Sequence, residues 1–160
     1  MKRLLFWIVT MALILGGAGS ALAAGSATGS LTVSATANTN CRIESPVNVS
    51  FSTPYDSTNP ADNTSGAGSF DFRCTRGTSY SLYIVRTNTM TFGADSLTYE
   101  LYEDAGLTNV WGTNLGSATA GGPSLNNSAV TKNIYGRIGA LQDVLSGGPY
   151  TETVLVTVDW

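Results

Sequence analysis

Histidine is absent from the 160-residue chain, cysteine occurs twice, and charged side chains make up only 12 % of it. Each shortage removes a class of function. Without His an enzyme lacks the commonest general base, and a transition metal lacks its commonest ligand. Basic residues number 8 against 11 acidic ones, a balance that argues against nucleic acid, whose phosphates demand clustered Lys and Arg. No segment carries a convincing 3.6-residue apolar period, and no repeat of roughly 20 to 50 residues marks a solenoid or propeller.

What is present begins with an export signal. Lys2 and Arg3 supply its positive region, Leu4 to Leu15 is apolar except for Thr10, and Ala21-Leu22-Ala23 fits the small-x-small cleavage rule. That apolar stretch is shorter than the roughly 20 residues needed to span a bilayer as a helix. Cleavage after Ala23 leaves about 137 residues, one domain with room for a core, at a net charge of about −5. In an oxidising compartment Cys41 and Cys74 are expected to pair. The closed loop would stabilise the fold by roughly 3 to 4 kcal/mol. A reactive thiol would instead need a basic neighbour or a helix terminus to lower its pKa.

The mature segment alternates in short runs rich in Val, Ile, Thr, Tyr and Phe, which predicts an all-β domain. Leu31, Val33, Ala35 and Ala37 share one face of a leading strand, followed by the break Asn38-Thr39-Asn40. Cys41 to Phe51 offers Cys41, Ile43, Val47, Val49 and Phe51, with Pro46 at a kink or edge. Ser52 to Gly66 reads as a polar loop. Phe70, Phe72 and Cys74 mark the next strand, then Tyr80 to Val85, then Leu97, Tyr99 and Leu101, with Val110-Trp111-Gly112 as a short return. Val130 to Ile138 and Tyr150 to Trp160 close the chain, with Val154, Val156, Val158 and Trp160 alternating to the last residue. Six or seven strands at this spacing predict an antiparallel sandwich of immunoglobulin type.

Chemistry is scarce along these strands. Glu100, Glu103 and Asp104 cluster, but the strand alternation turns Glu100 outward and Asp104 suits a turn. Asp56, Asn59, Asp62 and Asn63 are the nearest candidate for a calcium loop and match no EF-hand spacing. Gly66-Ala67-Gly68 lacks the third glycine and following helix of a phosphate cradle. Tyr102 and Trp111 could stack on a sugar if exposed, although aromatics of a sandwich belong more often to its core. The expectation is a protein without catalytic residues, cofactor, metal or small-molecule substrate.

Tyr99-Glu100-Leu101-Tyr102-Glu103-Asp104 followed by Val110-Trp111-Gly112 resembles the spore coat protein U family, which includes subunits of archaic chaperone-usher pili such as the Csu pilus. Phe72 to Thr78, Ile134-Tyr135-Gly136-Arg137-Ile138 and Tyr150 to Trp160 are similar to that family's later blocks, in the same order; Gly139 departs from it where proline is expected. The resemblance implies an incomplete immunoglobulin-like sandwich lacking its last strand. It further implies a periplasmic chaperone that lends a strand, and an outer-membrane usher where a neighbouring subunit's N-terminal segment replaces it, the general mode of β-augmentation.

On that basis residues 24–40 are expected to be the donor segment and residues 41–160 the incomplete domain. Leu31, Val33, Ala35 and Ala37 would be donor side chains, and Val154, Val156, Val158 and Trp160 the edge of the acceptor groove. Asn38 to Asn40 spans only about 10 Å. For a donor running parallel to the strand after Cys41, the chain would have to return roughly 30 Å to complete its own domain, so the leader is expected to act in trans. An ordinary hairpin with Cys41 to Phe51 is the plain alternative. The expected function is a structural pilus subunit serving adhesion and biofilm formation, exported to the periplasm and then the cell surface. A self-associating secreted coat or matrix protein and a small sugar-binding domain are the competing functions.

Overall fold

The computed structural model describes residues 25–46 and 48–160. The export signal assigned to residues 1–23 and the strand position given to Val47 lie outside the described residues. The chain divides into two units after Ala35. In the first, residues 25–35 have no regular secondary structure and are all exposed, Leu31 by 88 % and Val33 by 87 %.

Among its described residues the second unit, Thr36–Trp160, has β-strands and one 3₁₀ turn at Leu115–Ser117 that Asn114 caps. Its strands are β1 Cys41–Pro46, β2 Ser50–Phe51, β3 Asn63–Cys74, β4 Tyr80–Val85, β5 Thr89–Phe92, β6 Asp95–Tyr102, β7 Thr119–Gly121, β8 Val130–Ile138 and β9 Leu155–Asp159. One sheet runs β1-β3-β8-β6-β5 with β2 also on β3, the other runs β7-β4-β9, and all pairings are antiparallel.

Strand alternation decides which side chains fill the space between the sheets. Phe70 and Phe72 on β3, Leu101 on β6, and Ile134 and Ile138 on β8 are buried from one side, and Leu82 and Ile84 on β4 from the other. Val156 and Val158 on β9 sit opposite Ile84 and Leu82 and turn the same way. Each fully buried side chain of this size contributes roughly 1.5 to 3 kcal/mol. Cys41 and Cys74 are cross-strand partners and form the disulfide. At the β3–β4 turn Gly77 adopts φ 85°, a conformation that favours glycine, and Thr78 N–H donates to Thr75 O at 3.0 Å.

Several elements depart from the sequence expectation. The polar loop is shorter than Ser52 to Gly66, because β3 already begins at Asn63. Its first half is poor in apolar residues, and glycine there serves close packing. Gly66 faces Gly136 across β3 and β8, and a Cβ on Gly66 would lie 2.6 Å from Gly136 Cα and 2.7 Å from the Phe51 ring. The expected strand Tyr150 to Trp160 is ladder-paired only over Leu155–Asp159, while Thr151 makes an isolated bridge to Thr91 on β5. The chain therefore crosses from one sheet to the other between Thr151 and Leu155. β5 and β7 were not expected at all.

Candidate functional site

The second sheet ends at β9, whose only ladder partner among the described residues is β4. Beside it the sandwich opens into a groove of about 550 Å³. Met90 on β5, Tyr99 and Leu101 on β6, and Ile134 on β8 form its floor, the segment Asn48–Phe51 forms one wall, and Tyr150–Val154 with Val156 forms the other. Leu101 and Ile134 are 2 % and 3 % exposed and belong to the domain core, so the groove reaches the core itself.

One wall is pinned by a carboxylate. Glu152 accepts from Thr87 N–H at 2.6 Å, Thr87 Oγ1 at 3.0 Å, Thr89 N–H at 3.0 Å and the Tyr99 hydroxyl at 2.7 Å. Burial would raise its pKa, but the hydrogen bonds from Thr87 and Tyr99, with that from Thr89, outweigh burial and hold the carboxyl below its ordinary range. The same contact and the burial of Tyr99 push the phenol pKa upward, burial contributing most. With four donors on its two oxygens, Glu152 is not a free base. The groove offers apolar side-chain space next to an unpaired strand edge, which is the chemistry for holding another extended chain.

The family model of the Spore Coat Protein U domain matches residues 27–157. The chain belongs to that family. No match is found among curated protein sequences. Among solved structures, a chain of the CsuC-CsuE chaperone-tip adhesion subunit pre-assembly complex, from the archaic chaperone-usher Csu pili of Acinetobacter baumannii, superposes at a TM-score of 0.51 and 22 % identity. The match covers 78 % of the present chain and 41 % of the other, so this chain spans about two fifths of that one's length. At that identity the likeness is one of fold.

In this Spore Coat Protein U domain, Val154 and Val156 line the groove. Val158 lies further along β9 opposite Leu82, and Trp160 stands past the end of β9 and is 55 % exposed. Leu31, Val33, Ala35 and Ala37 are exposed and lie in no strand. Tyr102 and Trp111 are both buried, Tyr102 under the Arg137 guanidinium at 5.4 Å and Trp111 against Phe70, so neither presents a face to a sugar.

The acidic cluster is taken up by structure. Asp104 accepts from the N–H groups of Thr108 and Asn109, and Glu103 accepts from the Thr119 hydroxyl. Glu100 is not a solvated outward carboxylate as the alternation implied. It pairs at 2.6 Å with Arg86, whose side chain is fully buried and also donates to Trp111 O at 2.8 Å and Ile84 O at 3.1 Å. The polar loop spends its oxygens likewise: Asp56 on Thr58, Asn59 on Ala61, Asp62 on Ala140 and Asn63 on Ser65. Sequence reasoning missed the Asn48–Phe51 wall and Glu152. The signal for Glu152 was a lone carboxylate in the series Tyr150, Val154, Val156, Val158.

Proposed function

We propose that this chain is a structural subunit of a surface pilus, assembled by the chaperone–usher route through exchange of donor strands. Residues 1–23 direct export and are removed, residues 24–40 are the donor, and residues 41–160 are the acceptor domain. Leu31, Val33, Ala35 and Ala37 insert between Asn48–Phe51 and the Tyr150–Val156 wall of a neighbouring subunit, and the donor backbone pairs with the free edge of β9. A periplasmic chaperone fills the groove first and an outer-membrane usher exchanges it for the next subunit. The Csu pilus structure supports this partner set by its fold, and the assembled fibre serves adhesion and biofilm formation at the cell surface. No catalytic step is assigned to the chain.

The observation that carries the proposal is the core-deep groove beside an unpaired strand. An open edge of this kind makes a lone subunit aggregation-prone, so soluble periplasmic protein is expected only on co-expression with its chaperone. Deleting residues 24–37 should leave chaperone binding intact and abolish polymerisation. Fibres that persist after the deletion contradict the proposal. The family description names a spore coat, and the same groove would serve self-association there. A chaperone and usher encoded beside the gene favour the pilus.

A further inference from the structure

The groove wall Tyr150–Val154 is held by one isolated backbone bridge and one carboxylate. Thr151 exchanges backbone hydrogen bonds with Thr91 at 3.0 and 3.2 Å, and the β9 ladder starts at Leu155. Between those anchors Glu152, Thr153 and Val154 belong to no strand. This is the stretch that must present its backbone to an incoming strand, and its tether is the Glu152 side chain.

The alternation of the segment makes that side chain conspicuous. Tyr150, Val154, Val156 and Val158 all pack against the core, and Glu152 is the one charged residue in the same alternating series. An inward carboxylate costs free energy unless its lone pairs are filled. Here they are filled by donors from the β4–β5 link, from the start of β5 and from β6. All four partners donate, and two of them are backbone N–H groups that can do nothing else. An amide at this position would set N–H against N–H.

Resting on the strand-accepting role proposed above, we propose that Glu152 is a positioning residue for strand acceptance: its carboxylate holds the Tyr150–Val154 wall in place before the donor arrives. Once a donor strand has paired with the wall, that ladder supplies a second anchor and the tether matters less. The residue therefore governs how fast the groove is filled and has little influence on how long it stays filled.

The test uses the full mature chain with its disulfide formed, co-purified with its chaperone, released from it in denaturant and refolded at a dilution where it is monomeric, and a fluorescent peptide of residues 25–40 followed by stopped-flow anisotropy. Glu152→Gln should lower the association rate about tenfold and leave the dissociation rate within about twofold. Tyr99→Phe, which removes one of the four bonds, should lower association by less. An unchanged association rate in Glu152→Gln, or a loss residing wholly in dissociation, overturns the inference while leaving the accepting role intact. Failure of the wild-type chain to bind the peptide overturns that role and the inference with it. Near-UV circular dichroism checks each fold. If Glu152→Gln does not fold, Tyr99→Phe decides: slower association supports the tether and an unchanged rate overturns it.

Discussion

Truncating the leader at Leu31 and Val33 should separate assembly from folding. Both side chains are almost fully exposed, 88 % and 87 %, so the free chain gains nothing from their burial and Leu31→Ala with Val33→Ala should leave its thermal midpoint unchanged. Seated in a neighbour's groove the same side chains would be removed from water. Leu→Ala deletes three carbons and Val→Ala two. At about 0.8 kcal/mol per buried methylene the pair loses about 4 kcal/mol, close to a thousandfold in affinity at about 1.4 kcal/mol per decade. The assay compares binding of wild-type and doubly substituted 25–40 peptides to the full chain, alongside sedimentation of the corresponding full-length proteins. Equal affinities, or a variant whose monomer melts earlier, would refute the reasoning, since either shows that these side chains do their work outside a neighbour's groove.

Removing the disulfide by Cys41→Ser with Cys74→Ser should destabilise the domain by about 3.8 kcal/mol, the chain-entropy value for a loop of this length, read from urea unfolding midpoints at equal slope; the two cysteines are 33 residues apart. Glu100→Ala should cost about 3 kcal/mol, the low end for breaking a buried pair because Glu100 keeps 29 % exposure, and a matching Arg86→Met change should recover part of it in the same melts. Glu152 has a folded pKa below its unfolded value. Its contribution is therefore present above the ordinary carboxylate pKa and lost as pH falls through the lowered one, so Glu152→Gln should flatten the acid limb of a stability–pH profile. Gly136→Ala places a Cβ 2.8 Å from the Phe51 ring and 3.2 Å from Gly66 Cα, and should cost about 1 to 3 kcal/mol by overpacking, with partial rescue by Phe51→Leu in the same denaturation series.

The parts of the fold legible in the sequence are those where alternation and burial coincide. Phe70, Phe72 and Cys74, then Leu97, Tyr99 and Leu101, then Ile134 and Ile138, announce β3, β6 and β8 because every second residue is apolar and each ends in the core. β5 was hidden because Thr89-Met90-Thr91-Phe92 packs its apolar side chains only partly, and the positive φ of Asn88 and Gly93 at its flanks leaves no periodic trace. The first half of β3 was hidden for the opposite reason: Gly66 and Gly68 carry no side chain at all, since the Phe51 ring and Val49 occupy that space. Glu100 was misplaced because alternation reports which face a residue leaves from and says nothing of a long Arg86 side chain reaching it from β4's end. In the sequence the groove was legible only through the family resemblance, which implies a sandwich lacking its last strand. Its two walls are Asn48–Phe51 and Tyr150–Val154, about a hundred residues apart in sequence, a juxtaposition that no local pattern encodes.

Hydrogen–deuterium exchange on the intact chain, free and in the assembled fibre, tests the account most directly. Amides of Thr28 to Ala37, and those amides of Val154 to Asp159 that face away from β4, should exchange readily in the free chain and become protected together in the fibre, because each supplies the other's missing ladder partner. A fibre in which the leader still exchanges as fast as in the free chain would contradict it.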